Sequence, residues 1–459
     1  MKTDCIQGLG FVGSAMAIAI ALATDKEGRV KYNVIGVDLA NKYGQHRVDA
    51  IGRGEFPFDT SDQKLISSMQ KVFKQGNLKA TTDSSVYSDA DIVVVDIQLD
   101  ISYLDNQPKL EFDGFESAIR TLGQHIKSGV LILVETTVPP GTCEKIVVPT
   151  LYSELEKRGI NPNSVHVAHS YERVMPGEDY LASIVDYWRV FSGYTQKAGD
   201  MCEDFLSNVI NVNDFPLTRL SSTIASETAK VMENTYRAVN IAFNDEWTKY
   251  AESIGIDLFE VVNAIKTRPT HSNIRFPGLG VGGYCLTKDP TFAPAAAKQL
   301  FDKELEFPFS QMAVRVNHDM PLHTVSRLKS LMDNTLNDKK LLICGVSYRQ
   351  DVGDTRYSPS EILVNELVAQ KANITCHDPY VTYWDELDIT LPVKLPDSKF
   401  FDAVIFAVPH QQYCNLDLVS WCSKDTLVLD ANWVFNNKQR ELARGNGIRV
   451  ESVGRGDGL

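Results

Sequence analysis

A glycine-rich hexapeptide near the N-terminus constrains the fold more than any other feature. Residues 8–13 read Gly-Leu-Gly-Phe-Val-Gly and lie between a very short candidate strand and the alanine-rich stretch Ser14–Ala23. Glycines at this spacing permit a tight turn, a close approach of the backbone to a ligand and close packing of helix on strand. The hexapeptide therefore predicts the first strand, turn and helix of a parallel sheet, although a purely structural turn has the same pattern.

The surrounding sequence repeats the alternation of strand and helix in two blocks. In the first third, the candidate strands are Val34–Val37, Ile92–Ile97 and Val130–Glu135. A second block begins near Lys339, with a helix from Pro359 and the candidate strands Lys340–Gly345, Asn373–His377, Ala403–Val408 and Thr426–Asp430.

A long helical pattern from about Thr223 to Ser253 separates the two blocks. Its large apolar residues recur at intervals of three and four and so form one seam: Met232, Tyr236, Val239, Phe243, Trp247 and Tyr250. Such a seam needs a partner surface, between domains or on a second subunit. We predict an α/β protein in which two Rossmann-like doubly wound domains, 1–210 and 326–459, are joined by a central helical domain, 211–325.

Composition narrows the class of protein. The 459 residues, 43% hydrophobic and 23% charged, are typical of a globular chain long enough for two or three cores. The formal net charge of -13 argues against nucleic acid or an anionic membrane as the main partner. The apolar stretch Ala15–Ala23 is too short to span a bilayer.

The cysteines form no CxxC pair and no metal-like cluster with histidine, so we predict no metal. Their scatter suits reduced thiols and predicts a cytoplasmic protein. They are Cys5, Cys143, Cys202, Cys285, Cys344, Cys376, Cys414 and Cys422.

Asp38 indicates which ligand the glycine motif binds. The helix N-terminus behind the glycines faces a pyrophosphate, and Asp38 ends the strand Val34–Val37, where a carboxylate accepts from both ribose hydroxyls and repels a 2′-phosphate. NAD is thus favoured over NADP, while the alternative for Asp38 is a strand-terminal turn residue. The cofactor contacts predicted from this motif are Gly8, Gly10, Phe11, Val12, Gly13 and Asp38.

Cys285 follows an unusual run of glycines. Residues 276–290 read Phe-Pro-Gly-Leu-Gly-Val-Gly-Gly-Tyr-Cys-Leu-Thr-Lys-Asp-Pro, which leaves exposed backbone and room for a ligand. Lys288 favours the thiolate, and Asp289 is close enough in sequence to touch the same site. We interpret Cys285 as a nucleophile; the alternative is a glycine-rich loop with an inert cysteine.

Three further segments combine polar groups in ways that suit catalysis. On the long helix, Lys230 and Asn234 are four residues apart and share a face, so they can hold an oxyanion, unless this is merely a solvated face. Residues 135–142, Glu-Thr-Thr-Val-Pro-Pro-Gly-Thr, place Thr137 at a strand end where doubly wound sheets bind ligands. Residues 169–177, His-Ser-Tyr-Glu-Arg-Val-Met-Pro-Gly, offer Glu172 and Arg173 to a substrate or water.

Six motifs in this order, GLGFVG, TTVPPGT, ERVMPG, ExxKxxEN, GVGGYCLTKDP and GVSYRQDVGDTRYSP, closely resemble those of the UDP-glucose/GDP-mannose dehydrogenase family. The resemblance covers nearly the whole chain. It implies a cofactor domain, a central helical domain, a C-terminal domain that binds the nucleotide diphosphate, and a homodimer built around the long helix. It also implies an NAD-dependent, four-electron oxidation of a sugar CH2OH to a carboxylate through a thiohemiacetal and a thioester.

The resemblance also assigns roles residue by residue. It makes Cys285 the nucleophile, Lys230 and Asn234 the stabilisers of the oxyanion, and Asp289 with Thr137 the groups that position water, with Glu172 as the alternative. Thr137 and Arg356 join the cofactor contacts, and Asp354 is either part of that site or a structural partner of an arginine. The substrate contacts are Glu172, Arg173, Val174, Lys230, Asn234, Arg268, Gly282, Gly283 and Arg349, with local packing as the alternative for Arg268 and for His271.

Residues 172–177 indicate which sugar is oxidised. Pro176 stands where UDP-glucose enzymes have a second glutamate, and the run Glu-Arg-Val-Met-Pro-Gly is more similar to dehydrogenases of UDP-N-acetylhexosamines, such as UDP-N-acetylglucosamine or UDP-N-acetylmannosamine. Tyr284 and Lys288 instead resemble the UDP-glucose branch, so UDP-glucose or GDP-mannose is the alternative substrate. A nucleotide-sugar-binding protein without turnover is the alternative of another class.

Overall fold

The computed structural model describes residues 1–104 and 107–456. The chain divides into two compact units. The first unit comprises Met1–Glu233 and Thr291–Glu306, and the second comprises Asn234–Pro290 and Phe307–Leu459. The last three residues of the chain lie outside the described residues.

The first unit is built on an eight-stranded sheet in the order β10-β9-β8-β7-β4-β1-β2-β3. All neighbouring strands are parallel except β8 and β9, which are antiparallel, and β5 and β6 form a separate antiparallel hairpin. The strands are β1 Lys2–Gln7, β2 Tyr32–Val37, β3 Leu78–Thr81, β4 Ile92–Val95, β5 Asp100–Leu104, β6 Gln107–Glu111, β7 Leu131–Val134, β8 His166–Tyr171, β9 Val190–Gly193 and β10 Thr218–Arg219.

Strand β1 is an interior strand of this sheet and is longer than the sequence pattern predicts. Its six residues pair in parallel with β2 on one side and β4 on the other. The expectation of a very short strand is wrong, because Asp4 and Gln7 interrupt the apolar pattern although they are only 0% and 7% exposed. The strand order reverses between β1 and β4, so the loop that follows β1 lies at the switch point where doubly wound sheets bind ligands.

The second unit contains a five-stranded parallel sheet in the order β12-β11-β15-β16-β17. A two-stranded antiparallel pair, β13 and β14, accompanies it. The strands are β11 Lys340–Cys344, β12 Asn373–His377, β13 Tyr383–Trp384, β14 Ile389–Thr390, β15 Ala403–Phe406, β16 Leu427–Asp430 and β17 Val450–Ser452.

Both sheets bury apolar side chains on both faces, as the doubly wound prediction requires. In the first sheet, Val94 belongs to the core on one face and Val93 to the core on the other. In the second sheet, Ile343 and Leu342 divide in the same way. The cores of each unit therefore sit above and below its sheet, where helices cover them.

Helices occupy much of the remaining chain. Helix α8 confirms the predicted long helix and ends one residue later than expected. The α-helices are α1 Phe11–Leu22, α2 Lys42–Gly52, α3 Gln63–Gln75, α4 Asp113–His125, α5 Val148–Lys157, α6 Tyr180–Val185, α7 Gln196–Val209, α8 Thr223–Ile254, α9 Leu258–Lys266, α10 Tyr284–Lys288, α11 Phe292–Phe301, α12 Pro308–Leu331, α13 Pro359–Ala369, α14 Gln411–Cys414, α15 Leu418–Trp421 and α16 Asn437–Gly445.

The predicted fold class is confirmed: the protein is α/β, with two Rossmann-like sheets and a long helix between them in sequence. The boundaries 1–210, 211–325 and 326–459 stay a prediction. Within residues 1–104 and 107–456, no helix is both long and apolar enough to cross a membrane.

Candidate active site

The glycine motif has the geometry of a phosphate-binding turn. Gly8 has a φ of +96°, and a Cβ there would lie 2.5 Å from the Asp96 carbonyl oxygen. A Cβ on Gly13 would lie 2.0 Å from the Gly8 carbonyl oxygen, whereas one on Gly10 would meet nothing within 4 Å. Gly10 precedes α1 and provides no side-chain cap, so the helix N-terminus can receive an anion. The motif residues thus fit the pyrophosphate of NAD.

Asp38 stands at the end of β2, directly beside this turn. Its Oδ2 accepts from the Leu9 amide at 3.2 Å and from Arg47 Nη1 at 3.0 Å, and its Oδ1 accepts from the Leu39 amide at 2.7 Å. The carboxylate is therefore held next to the glycine turn. Arg47 was not predicted as a partner of Asp38, because it lies nine residues downstream in α2.

Lys230 and Glu172 lie together in the first unit. The Lys230 ammonium donates to the Glu172 carbonyl oxygen at 2.7 Å, lies 3.9 Å from Glu172 Oε1 and sits 5.3 Å from the centre of the Tyr171 ring. Both side chains are largely buried, at 8% and 12% exposed. Tyr171 therefore provides an aromatic wall for the ammonium.

Arg173 is already engaged within the protein. It donates from Nε and Nη2 to the Glu233 carboxylate at 2.8–3.1 Å, and from Nη1 to the Trp188 carbonyl oxygen. Burial acts to raise the pKa of Glu233, but the hydrogen bonds and charge of Arg173 outweigh it and lower that pKa. The Val174 amide donates to Glu172 Oε2. The structure therefore ties residues 172–174 to the long helix.

Thr137 lies in the loop after β7. The neighbouring Thr136 hydroxyl donates to the carbonyl oxygens of Val95 and Ile97 at 3.1 and 2.8 Å, which fastens the loop to the end of β4. Thr137 itself is half-buried. The loop therefore presents Thr137 at the carboxyl edge of the sheet, as predicted.

Cys285 lies in the second unit, in the first turn of α10, and its side chain is exposed. Gly283 precedes it with a φ of +79°, and a Cβ there would lie 2.8 Å from the Tyr348 ring. Gly282 is equally close to Tyr348 and Pro359. The two glycines are therefore required for packing, and the thiol remains accessible beside them.

Asp289, Asn234 and Lys288 form one buried network in the second unit. Asp289 Oδ2 accepts from Asn234 Nδ2 at 2.7 Å, and its Oδ1 accepts from Lys288 Nζ at 2.9 Å. The Lys288 ammonium also lies 4.2 Å from the centre of the Tyr284 ring. Both carboxylate oxygens are thus occupied, and Asp289 fixes the direction of the Asn234 amide.

Among the predicted binding arginines, Arg356 is paired with a carboxylate, whereas Arg349 and Arg268 are exposed. Arg356 donates to both oxygens of Asp354, from Nε at 2.9 Å and from Nη2 at 2.7 Å, so Asp354 is a partner of an arginine. Arg349 is exposed on the loop after β11, and Arg268 and His271 are exposed after α9. Their roles in binding stay predictions.

The chain matches the models of three domains of one family. An NAD-binding domain matches residues 2–207, a central domain matches residues 224–319, and a UDP-binding domain matches residues 342–437. The chain belongs to the UDP-glucose/GDP-mannose dehydrogenase family. The predicted class, an NAD-dependent nucleotide-sugar dehydrogenase, and NAD as its cofactor are confirmed.

Relatives within this family extend over the whole chain. The UDP-N-acetyl-D-mannosamine dehydrogenase of Methanocaldococcus jannaschii is 30% identical over 99% of this chain and 97% of that protein. The solved UDP-D-ManNAc dehydrogenase of Pyrococcus horikoshii shares the fold, with a TM-score of 0.82 at 24% identity over 99% of this chain and 100% of that one. The NDP-N-acetyl-D-galactosaminuronic acid dehydrogenase of Methanosarcina mazei Go1 has a TM-score of 0.79 at 26% identity, covering 100% and 96% of the two chains.

Proposed function

We propose that this dehydrogenase oxidises a UDP-N-acetylhexosamine, UDP-N-acetylmannosamine or UDP-N-acetylglucosamine, at C6 to the uronate. The observation that carries the four-electron oxidation is the exposed Cys285 thiol, which stands just after Gly282 and Gly283 and four residues before Asp289. A two-electron alcohol dehydrogenase has no use for a cysteine in that place. A binding protein without turnover has no use for an oriented amide and ammonium.

The thiol carries the sugar between the two oxidations. In the first, C6 loses a hydride and its hydroxyl loses a proton, which leaves an aldehyde. The Cys285 thiolate then adds to that carbon and forms a thiohemiacetal, which loses the second hydride and becomes a thioester. Water attacks the thioester, the thiolate leaves, and the uronate is released. NAD, when bound, accepts the hydride in each oxidation.

Lys230 and Asn234 stabilise the oxygen on C6 while it bears negative charge. Both lie in α8, and the long helix fixes their spacing. The ammonium is largely buried, where its charge acts more strongly than in water. One amide hydrogen of Asn234 is directed to Asp289. The second hydrogen of the same amide remains a donor for the substrate oxygen.

Glu172 is the better candidate to orient the hydrolytic water. Its Oε1 lies 3.9 Å from the ammonium of Lys230, and its side chain is 12% exposed. Asp289 is instead fully buried and hydrogen-bonded to Asn234 and Lys288, so we assign it the role of directing the Asn234 amide. Thr137 is the second group for the water and the cofactor. The remaining proposed substrate contacts are Arg173, Val174, Arg268, Gly282, Gly283 and Arg349, and Arg356 is a proposed cofactor contact.

A substrate panel tests the proposed sugar. The UDP-N-acetyl-D-mannosamine dehydrogenase of M. jannaschii supports an acetamido sugar, as does the Glu-Arg-Val-Met-Pro-Gly run at residues 172–177. Purified protein is mixed with NAD and with each of UDP-N-acetylmannosamine, UDP-N-acetylglucosamine, UDP-glucose and GDP-mannose, and NADH is counted per sugar. Two NADH with an acetamido sugar support the proposal. Turnover with UDP-glucose alone would assign the other branch, and no NADH with any sugar would indicate a binding protein.

We also propose a homodimer built on α8. In the second unit, one side of this helix exposes large apolar side chains, and neighbouring rings touch at centroid distances of 5.7–6.3 Å. The exposed residues are Tyr236, Phe243, Trp247, Tyr250 and Ile254. Trp247→Asp should convert the dimer to a monomer in sedimentation velocity, whereas Glu246→Gln on the same helix should not. A wild-type monomer would contradict the dimer.

We also propose a role for each of the three predicted domains and a cellular location for the protein. We propose 1–210 for NAD, 211–325 for dimerisation and catalysis, and 326–459 for the nucleotide sugar. A cytoplasmic location is supported by the eight cysteines, all of which lie in the described part of the chain and none of which forms a disulfide.

A further inference from the structure

Glu227 links the long helix to the loop that carries Thr137. Its Oε2 accepts from the Gly141 amide at 2.5 Å, and its Oε1 accepts from the Cys143 amide at 2.8 Å. The side chain is fully buried, and both donors lie more than 80 residues away in sequence. A buried carboxylate that accepts hydrogen bonds from two backbone amides fixes the position of both. These two hydrogen bonds are the Glu227 tie.

The loop is fastened at its other end as well. Thr136 bonds to the end of β4, and Thr137 lies between that point and the amides held by Glu227. Gly141 has a φ of +96°, and a Cβ there would lie 2.6 Å from the Phe301 ring. Phe301 thus packs against Gly141, and Glu227 holds the amides of Gly141 and Cys143 by hydrogen bonds. The position of the loop therefore depends on Glu227.

The charges around Glu227 make the tie sensitive to protonation. The pKa of Glu227 is raised to about 7, and burial is the largest cause. The Cys143 thiol and the two amides act to lower this pKa, whereas the Glu144 carboxylate acts to raise it. Burial also holds the pKa of the Cys143 thiol well above its usual range, so that group stays a neutral donor. One turn along α8, the Lys230 ammonium is bonded to the Glu172 carbonyl oxygen. Phe301, from α11, is apolar.

We propose that Glu227 is a positioning residue: as a carboxylate it holds the 139–143 segment on α8 and thereby sets Thr137 for the reaction. The catalytic part of this inference rests on the proposed function, whereas the tie itself does not. A protonated carboxyl has one oxygen that donates instead of accepting, so one of the two amides loses its acceptor. Glu227→Gln creates the same loss at every pH, because the amide nitrogen of glutamine cannot accept.

Hydrogen exchange tests the tie without any substrate. Mass spectrometry of peptides covering residues 138–147 compares wild type, Glu227→Gln and the matched control Glu144→Gln, which removes a neighbouring charge but no acceptor. At a pH above the pKa of Glu227, exchange at Gly141 and Cys143 should be roughly tenfold faster in Glu227→Gln and unchanged in the control. Equal exchange in all three would overturn the inference, even if the wild type were inactive on every sugar.

Steady-state kinetics test the effect on the reaction. With the sugar that the wild type accepts, Glu227→Gln should lower kcat roughly tenfold and change KM for the nucleotide sugar less than about twofold. Wild-type kcat should fall as the pH drops through about 7, which gives the profile of kcat against pH an acid limb. Glu227→Gln should lack that limb. In Glu144→Gln the limb should move to lower pH.

A third variant guards against a simple folding defect. Glu227→Asp keeps the charge but reaches the amides less well, so it should retain the pH limb at reduced kcat. If Glu227→Gln does not fold, the exchange and pH data of Glu227→Asp decide the question. A Glu227→Gln enzyme with wild-type kcat and an intact limb would refute the positioning role, whereas an inactive wild type would refute the proposed function alone.

Discussion

Replacing Asp289 by asparagine tests the buried network most directly. The change removes the charge that neutralises Lys288 but keeps an oxygen that accepts from Asn234. The Lys288 and Asp289 side chains are 8% and 0% exposed, so water screens the pair poorly. Removing one partner of a buried ion pair costs about 3–5 kcal/mol. Because the long Lys288 side chain can turn toward solvent, we expect the lower end, about 3 kcal/mol.

The assay is thermal unfolding, followed by circular dichroism. A loss of about 3 kcal/mol corresponds to a Tm lower by roughly 6–12 °C for a domain of this size. Lys288→Met combined with Asp289→Asn should recover part of that loss, because no uncompensated charge remains. The surface variant Asp397→Asn, whose partner Lys399 is solvent-exposed, should shift Tm by less than about 2 °C. An Asp289→Asn protein with the wild-type Tm, or strictly additive effects in the cycle, would refute the reasoning.

Three other changes test separate parts of the molecule. Cys285→Ser should stop uronate formation while leaving NAD binding intact, and mass spectrometry that finds wild-type uronate yields would contradict the thioester. Asp38→Ala should relax the preference for NAD over NADP, measured as the ratio of kcat/KM values; an unaltered ratio would show that Asp38 makes no ribose contact. Burial, with a contribution from Glu135, raises the pKa of Asp4 well above 3.8. The carboxyl therefore lowers stability as pH rises above about 4, and the Tm of Asp4→Asn relative to wild type should increase between pH 4 and 8; a constant difference would contradict this.

The repeating features of the fold were predictable because apolar periodicity records burial. Helix α8 begins at the predicted residue, and β12 spans the predicted range. The first strand was underestimated because Asp4 and Gln7 are polar yet buried, so side-chain chemistry there does not report exposure. The hairpin β5–β6 was not predicted, since a two-stranded antiparallel pair makes no long apolar run.

The candidate site was predictable as a set of residues but not as a set of contacts. The glycines and Cys285 stand out because few structural roles require those residue types in such runs. Their partners do not stand out. Glu233, which accepts from Nε and Nη2 of Arg173, lies 60 residues away in sequence, and only folding brings the two together. The same holds for Arg47, whose contact with Asp38 depends on where folding places α2 relative to the end of β2.

The uneven exposure of the cysteines makes the protein convenient to quantify. Cys285 is the one exposed thiol among the eight, Cys414 is half-buried, and the other six are buried. An alkylating reagent applied to the folded chain should therefore add one mass increment first, at Cys285, and a second more slowly, at Cys414. Increments beyond these two require the chain to open, so one intact-mass spectrum separates the folded fraction from the rest.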